Sequence, residues 1–309
     1  MKRIILSIFA LWAMCYMQAQ TCDLHIQVVK PTAEMCDDNE AIANLVQTRL
    51  IKALTIDGVS AGENYGQFYI SGRFDDLYKE TLPGPPVQTV LNTSLTLMVA
   101  DIFDNKVFAS ETFDLKGVGT SEQRAYINAL NQINARNNRF EQFINNASKK
   151  VISYFDANYT KLLAKAESAA KMQDYEKALY FASLIPECSK GYPAAEKALQ
   201  SYYQKFIDDL GTQLLRRARG EFSMKPNAEG AAKAYEYLYQ ISINSSAYPA
   251  AESFARQIEK QTKIEYDFEV HKKYEDALAT ERAKIDAARQ IGVAYGNGQR
   301  DNTTNILWK

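Results

Sequence analysis

The residues able to do chemistry are few, and their spacing decides against most of it. The chain has two histidines, His25 and His271, each without a second imidazole nearby. A metal site on a helix needs two ligands on one face, so neither histidine is assigned a metal. With two isolated histidines as the imidazole bases on offer and no cysteine beside either, the common hydrolytic constellations lack members. Two adjacent carboxylate pairs, Asp75-Asp76 and Asp208-Asp209, supply acid and base groups. Neighbours on a strand or helix point in different directions, however, which is the wrong geometry for shared proton transfer. Gly117-Val118-Gly119 stands before a helix start, where backbone amides can hold a phosphate. It has no third glycine at the fingerprint spacing and no adjoining Lys-Ser or Lys-Thr pair, so it reads as a structural turn. The pattern predicts no enzyme activity, no metal and no cofactor.

Cysteine usage depends on where the chain goes. Met1-Lys2-Arg3 is basic and Ile4 to Met17 is an almost unbroken apolar run, too short to span a bilayer comfortably. Residues 1–19 read as a cleaved secretory signal with small Ala19 before the cut, so the mature chain starts near Gln20. A lipid anchor at Cys15 is the alternative, but Trp12-Ala13-Met14 ahead of it lacks the small residues of a lipoprotein signal. Cys22, Cys36 and Cys188 survive the cut. Export permits a disulfide, and three thiols cannot all pair within one chain. Cys22 and Cys36 are the nearest pair and the candidate bridge, although a strand over residues 23–29 sets them about 20 Å apart before the chain turns. Small buried thiols are the other reading. After the cut, 36 basic residues less Lys2 and Arg3 face 37 acidic ones, a net charge of −3 that removes the usual electrostatic drive toward nucleic acid. No later stretch approaches the about 20 apolar residues of a membrane helix.

The elements that must position these residues fall into two halves. In residues 20–135, Leu24, Ile26 and Val28 alternate with polar partners as a half-buried strand does. Asp37-Asp38-Asn39 can cap a helix whose Ile42, Leu45, Val46, Leu50 and Ala53 keep the 3.6-residue period until Gly58. A second strand runs from Gln67 to Phe74. Leu82-Pro83-Gly84-Pro85-Pro86 cannot donate a full ladder and connects to a hairpin, Val87 to Phe103 and Lys106 to Lys116, turning at Asp104-Asn105. Thr120 with Gln123 has capping-box spacing for a helix carrying Ala125, Ala129, Leu130 and Ile133. Leu50 to Gly58, Phe68-Tyr69-Ile70-Ser71-Gly72, the hairpin and Gly117-Val118-Gly119-Thr120-Ser121 together resemble a domain of bacterial envelope accessory proteins. That group includes curli-secretion proteins, outer-membrane activators of penicillin-binding proteins and the amino-terminal domain of the Tol-system propeller protein.

Residues 136–291 contain a repeat. Tyr-Pro-Ala-Ala-Glu occurs at Tyr192 to Glu196 and again at Tyr248 to Glu252, and Ile185 and Ile241 stand at the same offset upstream. A proline one residue into each copy suits the first turn of a helix. Helices are predicted near 140–171, 174–186, 193–221, 227–242 and 249–291. Asp174-Tyr175-Glu176-Lys177-Ala178-Leu179 resembles the loop and second helix of a tetratricopeptide repeat, here with elongated first helices. Tyr202, Tyr203, Tyr235, Tyr237 and Tyr239 either mark a peptide groove or pack in the interior, and helix-spaced aromatics favour the interior. Residues 292–309 read as a flexible tail ending in apolar Ile306-Leu307-Trp308.

The sequence thus predicts an α+β protein: a small N-terminal mixed sheet with packed helices, then an all-α tetratricopeptide-like array. Such arrays supply surfaces for partners, and function follows sites more than folds. The reading is an exported, non-catalytic cell-envelope scaffold that binds envelope proteins. The alternative, implied by the curli-secretion resemblance, is a homo-oligomeric component of a secretion or surface-assembly apparatus in which the residue 87–116 hairpin assembles. A hydrolase with an unrecognised site is the third reading.

Overall fold

Apolar residues at every second position from Phe68 to Phe74 need one face of a sheet to be covered. The computed structural model describes Leu24 and residues 26–56, 67–103, 106–266 and 280–298. Strands β1 (Ile26–Val28), β2 (Phe68–Leu82), β3 (Gln88–Asp101) and β4 (Val107–Gly119) lie side by side in chain order. β1 runs parallel to β2 with Ile26 opposite Phe68. The other pairs are antiparallel, placing Phe74 opposite Leu95 and Leu95 opposite Phe113 on the inner face. β2 continues eight residues past the expected end at Phe74, because β3 supplies a full antiparallel ladder as far as Leu82 and Gln88. His25 and the turn residues Asp104 and Asn105 lie outside the described residues, as do residues 1–23.

Three helices cover the inner face. α1 (Glu40–Ile56) is capped by Asn39, whose Oδ1 accepts from the backbone N–H of Ala41 at 3.0 Å and Ile42 at 3.3 Å. It buries Ile42, Val46, Leu50 and Ala53, as the helical period requires. α2 (Glu122–Leu130) starts one residue later than the expected capping box: Ser121 Oγ accepts from the Arg124 N–H, and Thr120 Oγ1 accepts from the Arg124 guanidinium. The Gly117-x-Gly119 cluster is not a turn but the end of β4. A Cβ at Gly119 would lie 2.6 Å from the backbone N of Ala125, so the glycines let α2 cross directly on the strand.

α3 (Asn138–Lys171) starts just past the expected boundary near residue 135 and packs its first half back onto the sheet. Its Phe140, Phe143, Ile144, Ala147, Val151 and Phe155 are buried in one cluster with Ile70, Leu95 and Phe113 of the sheet. Phe113 meets Phe143 edge-on at 6.1 Å, and Phe68 meets Phe155 at 5.6 Å. The first half of α3 therefore completes the sheet's core, and the rest of the helix leads on to α4 (Tyr175–Ser183), against which α3 packs.

Beyond α3 the chain is helical: α5 (Tyr192–Met224), α6 (Ala228–Leu238), α7 (Tyr248–Thr262) and α8 (Glu281–Gly298). The protein is mixed α/β, one four-stranded sheet with eight α-helices among the described residues. Both Tyr-Pro-Ala-Ala-Glu segments open helices with proline in the first turn, and Ala195 and Ala251 are buried. The single helix expected over 249–291 is broken. Lys263 takes a left-handed conformation with φ 62° and ends α7, whose last carbonyls are closed by the Lys263 N–H to Glu259. His271 falls in the following segment, outside the described residues. Residues 292–298, expected in the tail, instead finish α8, which docks on α4 and α5. Arg289 ties that helix down, pairing with Glu187 at 3.0 Å and lying over the Tyr192 ring.

Cys22, one half of the candidate bridge, lies outside the described residues, and Cys36 is a free, buried thiol. Burial pushes its pKa up to about 11, which keeps the thiol protonated and unreactive. Cys188, in the turn between α4 and α5, is disulfide-bonded.

Candidate functional site

β2 and β3 outrun the helices that cover them, and the far end of this hairpin is where the molecule leaves large apolar side chains in water. A bulge between Asp76 and Tyr78 shifts the register there. Beyond it, Glu80 pairs with Val90, Leu82 with Gln88 and Val90 with Val118, so Tyr78, Leu82, Val90 and Val118 share the outer face by strand alternation. Exposure is 64% at Leu77, 52% at Tyr78, 40% at Leu82, 52% at Val87 and 45% at Val118. Single exposed hydrophobics need no explanation, whereas here five gather at one hairpin end. Polar groups frame it: the Tyr78 hydroxyl donates to Glu80 at 2.7 Å.

A polar clasp fixes the hairpin at the point where it leaves the core. On the inner face Phe74 is followed by Asp76, whose carboxylate accepts from the Tyr126 hydroxyl of α2. The Asp76 backbone N–H donates to Asp37 Oδ2 at 2.6 Å, and Lys79 pairs with Glu122 at 2.8 Å. Desolvation raises the Asp76 pKa above its usual value, only partly countered by the Tyr126 hydrogen bond. Burial and the adjoining carboxylate hold the Tyr126 hydroxyl well above the tyrosine range, so it stays a donor. Lys79 draws Glu122 below its usual value. This arrangement can anchor the hairpin. Asp75 turns away to pair with Arg73 at 3.0 Å, so the adjacent carboxylates do separate structural jobs.

The second pair, Asp208-Asp209, is structural as well. Asp208 Oδ1 accepts from the Ser246 N–H at 2.6 Å, while Asp209 accepts from Gln213. The equivalent contact in the first copy is Asp156 Oδ1, accepting from the Lys190 N–H and the Ser189 hydroxyl, both at 2.8 Å. Ser189 and Ser245 each also accept from the N–H two residues on, at 3.2 Å. The turn that launches each Tyr-Pro helix is thus held by an aspartate on the preceding long helix. Of the five helix-spaced tyrosines, two lie in the interior, Tyr202 and Tyr237 are half-buried and Tyr239 is exposed. Tyr203 and Tyr235 are buried, Tyr235 donates to the Ile264 carbonyl at 2.9 Å, and Tyr239 stacks on Tyr266 at 4.6 Å.

Sequence reasoning missed the hairpin end and the Asp76–Tyr126 clasp. The first had a legible signal, since Leu77-Tyr78-Lys79-Glu80-Thr81-Leu82 continues a strand pattern with no second apolar partner in sequence. The second joins residues fifty apart and had none. No protein-family model, curated protein or solved structure matches the chain.

Proposed function

We propose that the protein is an exported, non-catalytic scaffold of the cell envelope that binds envelope proteins through its hairpin end, with a tetratricopeptide-like helical array as a second surface. The observation that carries this reading is the group of exposed apolar residues, Leu77, Tyr78, Leu82, Val87 and Val118, held out by a clasp at its base. The repeated aspartate-to-turn contacts before α5 and α7 support the array. Both point to surfaces rather than to a reacting centre. The test compares cross-linked partners recovered from the native envelope by the wild type and by a Leu77→Ser, Tyr78→Ser, Leu82→Ser variant. These positions are exposed, so stability should change by less than about 0.5 kcal/mol per substitution. Loss of specific partners with the fold intact is the expected result, and unchanged recovery overturns it.

The second reading is an oligomeric secretion or assembly component. It is favoured by β4, an edge strand whose Val107 and Val118 are exposed. Size-exclusion with light scattering separates the two: a large ring supports assembly, a monomer or dimer the scaffold.

A further inference from the structure

The two edges of the sheet are covered in different ways, and one stretch is left open. On β4 the Val118 and Lys116 carbonyls accept from Asn128, in α2, and Gln132, just after it, both at 2.6 Å. The Thr112 carbonyl accepts from the Arg139 guanidinium at 2.8 Å. Side chains that occupy an outer edge guard it against strand addition. On the opposite side β1 covers β2 from Phe68 to Ile70, the Val29 N–H donates to the Ile70 carbonyl, and the Asp76 N–H is taken by Asp37. From Leu77 to Leu82 no strand among the described residues pairs with β2 on that side, and all six residues are exposed. Ladder alternation fixes what this stretch presents. Val118 and Lys116 turn their carbonyls away from β3, so their β3 partners Val90 and Asn92 turn their own backbone groups toward β2, where they meet Glu80 and Tyr78. Lys79 and Thr81 alternate with these and turn N–H and C=O to the open edge, without a backbone partner among the described residues.

We infer that the β2 edge from Leu77 to Leu82 takes an extended segment of another protein as an added strand, held by the outward N–H and C=O groups of Lys79 and Thr81. This rests on the reading of the hairpin end as a partner surface, and it gives that partner's chemistry. Tyr78, Glu80 and Leu82 stand on the outer face, while Lys79 stands on the inner face and pairs with Glu122. Opposite residues of antiparallel neighbours share a face, so the incoming residues beside Tyr78 and Leu82 are apolar and the one between them, beside Glu80, is basic. The segment therefore reads apolar, polar, basic, polar, apolar. A second copy of this chain does not supply it. The two antiparallel registers that overlap most set Glu80 against Glu80 of the other copy, or Lys79 against Lys79, and like charges directly opposite are destabilising.

The probe is a fluorescein-labelled, end-blocked peptide, Thr-Val-Thr-Lys-Thr-Val-Thr, titrated with the purified full chain and read by anisotropy, with circular dichroism as the check on folding. Saturable binding is expected, with slowed hydrogen exchange at the Lys79 and Thr81 amides. Thr81→Pro should abolish it, because proline removes an outward donor and spares the ladder to β3. Glu80→Lys leaves the backbone alone; it should weaken the lysine peptide and strengthen its glutamate-centred counterpart, each by up to about fivefold. If Thr81→Pro does not fold, the Glu80→Lys reversal decides by itself. Absence of saturable binding, binding that survives Thr81→Pro, indifference to the central charge, or self-association that Thr81→Pro abolishes overturns the inference. Cross-linking in the native envelope separates it from the reading beneath it. If Thr81→Pro keeps the partners that the Leu77→Ser, Tyr78→Ser, Leu82→Ser variant loses, side chains alone bind them, and strand addition is overturned while the partner surface stands. If the serine variant loses no partner while peptide binding depends on Thr81, the envelope reading fails and the edge site stands.

Discussion

The two copies of the helical unit solve one packing problem in opposite ways, and a double-mutant cycle exposes the difference. In the first copy Gly191 sits under Tyr159 of α3, and in the second Gly211 of α5 sits under Ser245 and Ala247. The small residue is in the turn in one case and on the long helix in the other. An alanine at 191 would place its Cβ within 2.6 Å of Tyr159 Cβ, Cγ and Cδ2. Those are the near atoms of the side chain, which cannot swing away without moving α3. Overpacking of this kind costs about 1–3 kcal/mol. The backbone itself favours alanine, since Gly191 has φ −78° and ψ −12°, and the change removes unfolded-state freedom worth about 0.4–1 kcal/mol. The net expectation is a loss of up to about 2.6 kcal/mol for Gly191→Ala, or up to about 0.9 M in urea midpoint for a slope near 3 kcal/mol/M. In a Tyr159→Ala background the obstacle is gone, and Gly191→Ala should stabilise by about 0.4–1 kcal/mol. Urea denaturation of the four full-length proteins measures the coupling. Equal effects of Gly191→Ala in both backgrounds, or stabilisation of the wild type, would refute the packing argument.

Tyr126→Phe strips the Asp76 carboxylate of its donor and should destabilise by about 1–3 kcal/mol in chemical denaturation, whereas Asp76→Asn keeps an acceptor and should cost less. Because the fold holds the Asp76 pKa above 3.8, the folded chain binds more protons than the unfolded one between those two values. That contribution to stability is full below pH 3.8 and is lost as pH rises through the raised value. Asp76→Asn should flatten this part of the profile, and an unchanged profile would assign the slope elsewhere. Lys263→Gly relieves a left-handed backbone and should raise stability by up to about 1 kcal/mol, as read by thermal or urea unfolding. Residues 20–135 alone lack Phe140, Phe143, Val151 and Phe155; each large core residue is worth about 3–5 kcal/mol against a total of about 5–15, so this fragment should give the poorly dispersed amide spectrum of an unfolded chain.

Local rules were legible in the chain itself. The alternation from Phe68 to Phe74 produced a strand, the 3.6-residue period from Ile42 to Ala53 produced a capped helix, and the two Tyr-Pro segments opened helices where a first-turn proline is compatible. Each depends on residues within one or two turns of each other, so sequence alone determines it. Tertiary structure decided the rest. Gly117 and Gly119 read as a turn because glycine permits one; the crossing of α2 on β4 uses the missing side chains instead. Glycine and asparagine near residue 292 suggested a loose tail, yet packing on α4 and the Arg289–Glu187 pair carry the helix to Gly298. Cys36 could be read as a bridge or as a small buried thiol, and packing encloses it as a free thiol. The clasp of Asp76, Tyr126 and Asp37 and the exposed end of the hairpin arise only when distant segments meet. Nothing in local propensity reports which segments those are, because burial and pairing over such separations depend on the whole fold.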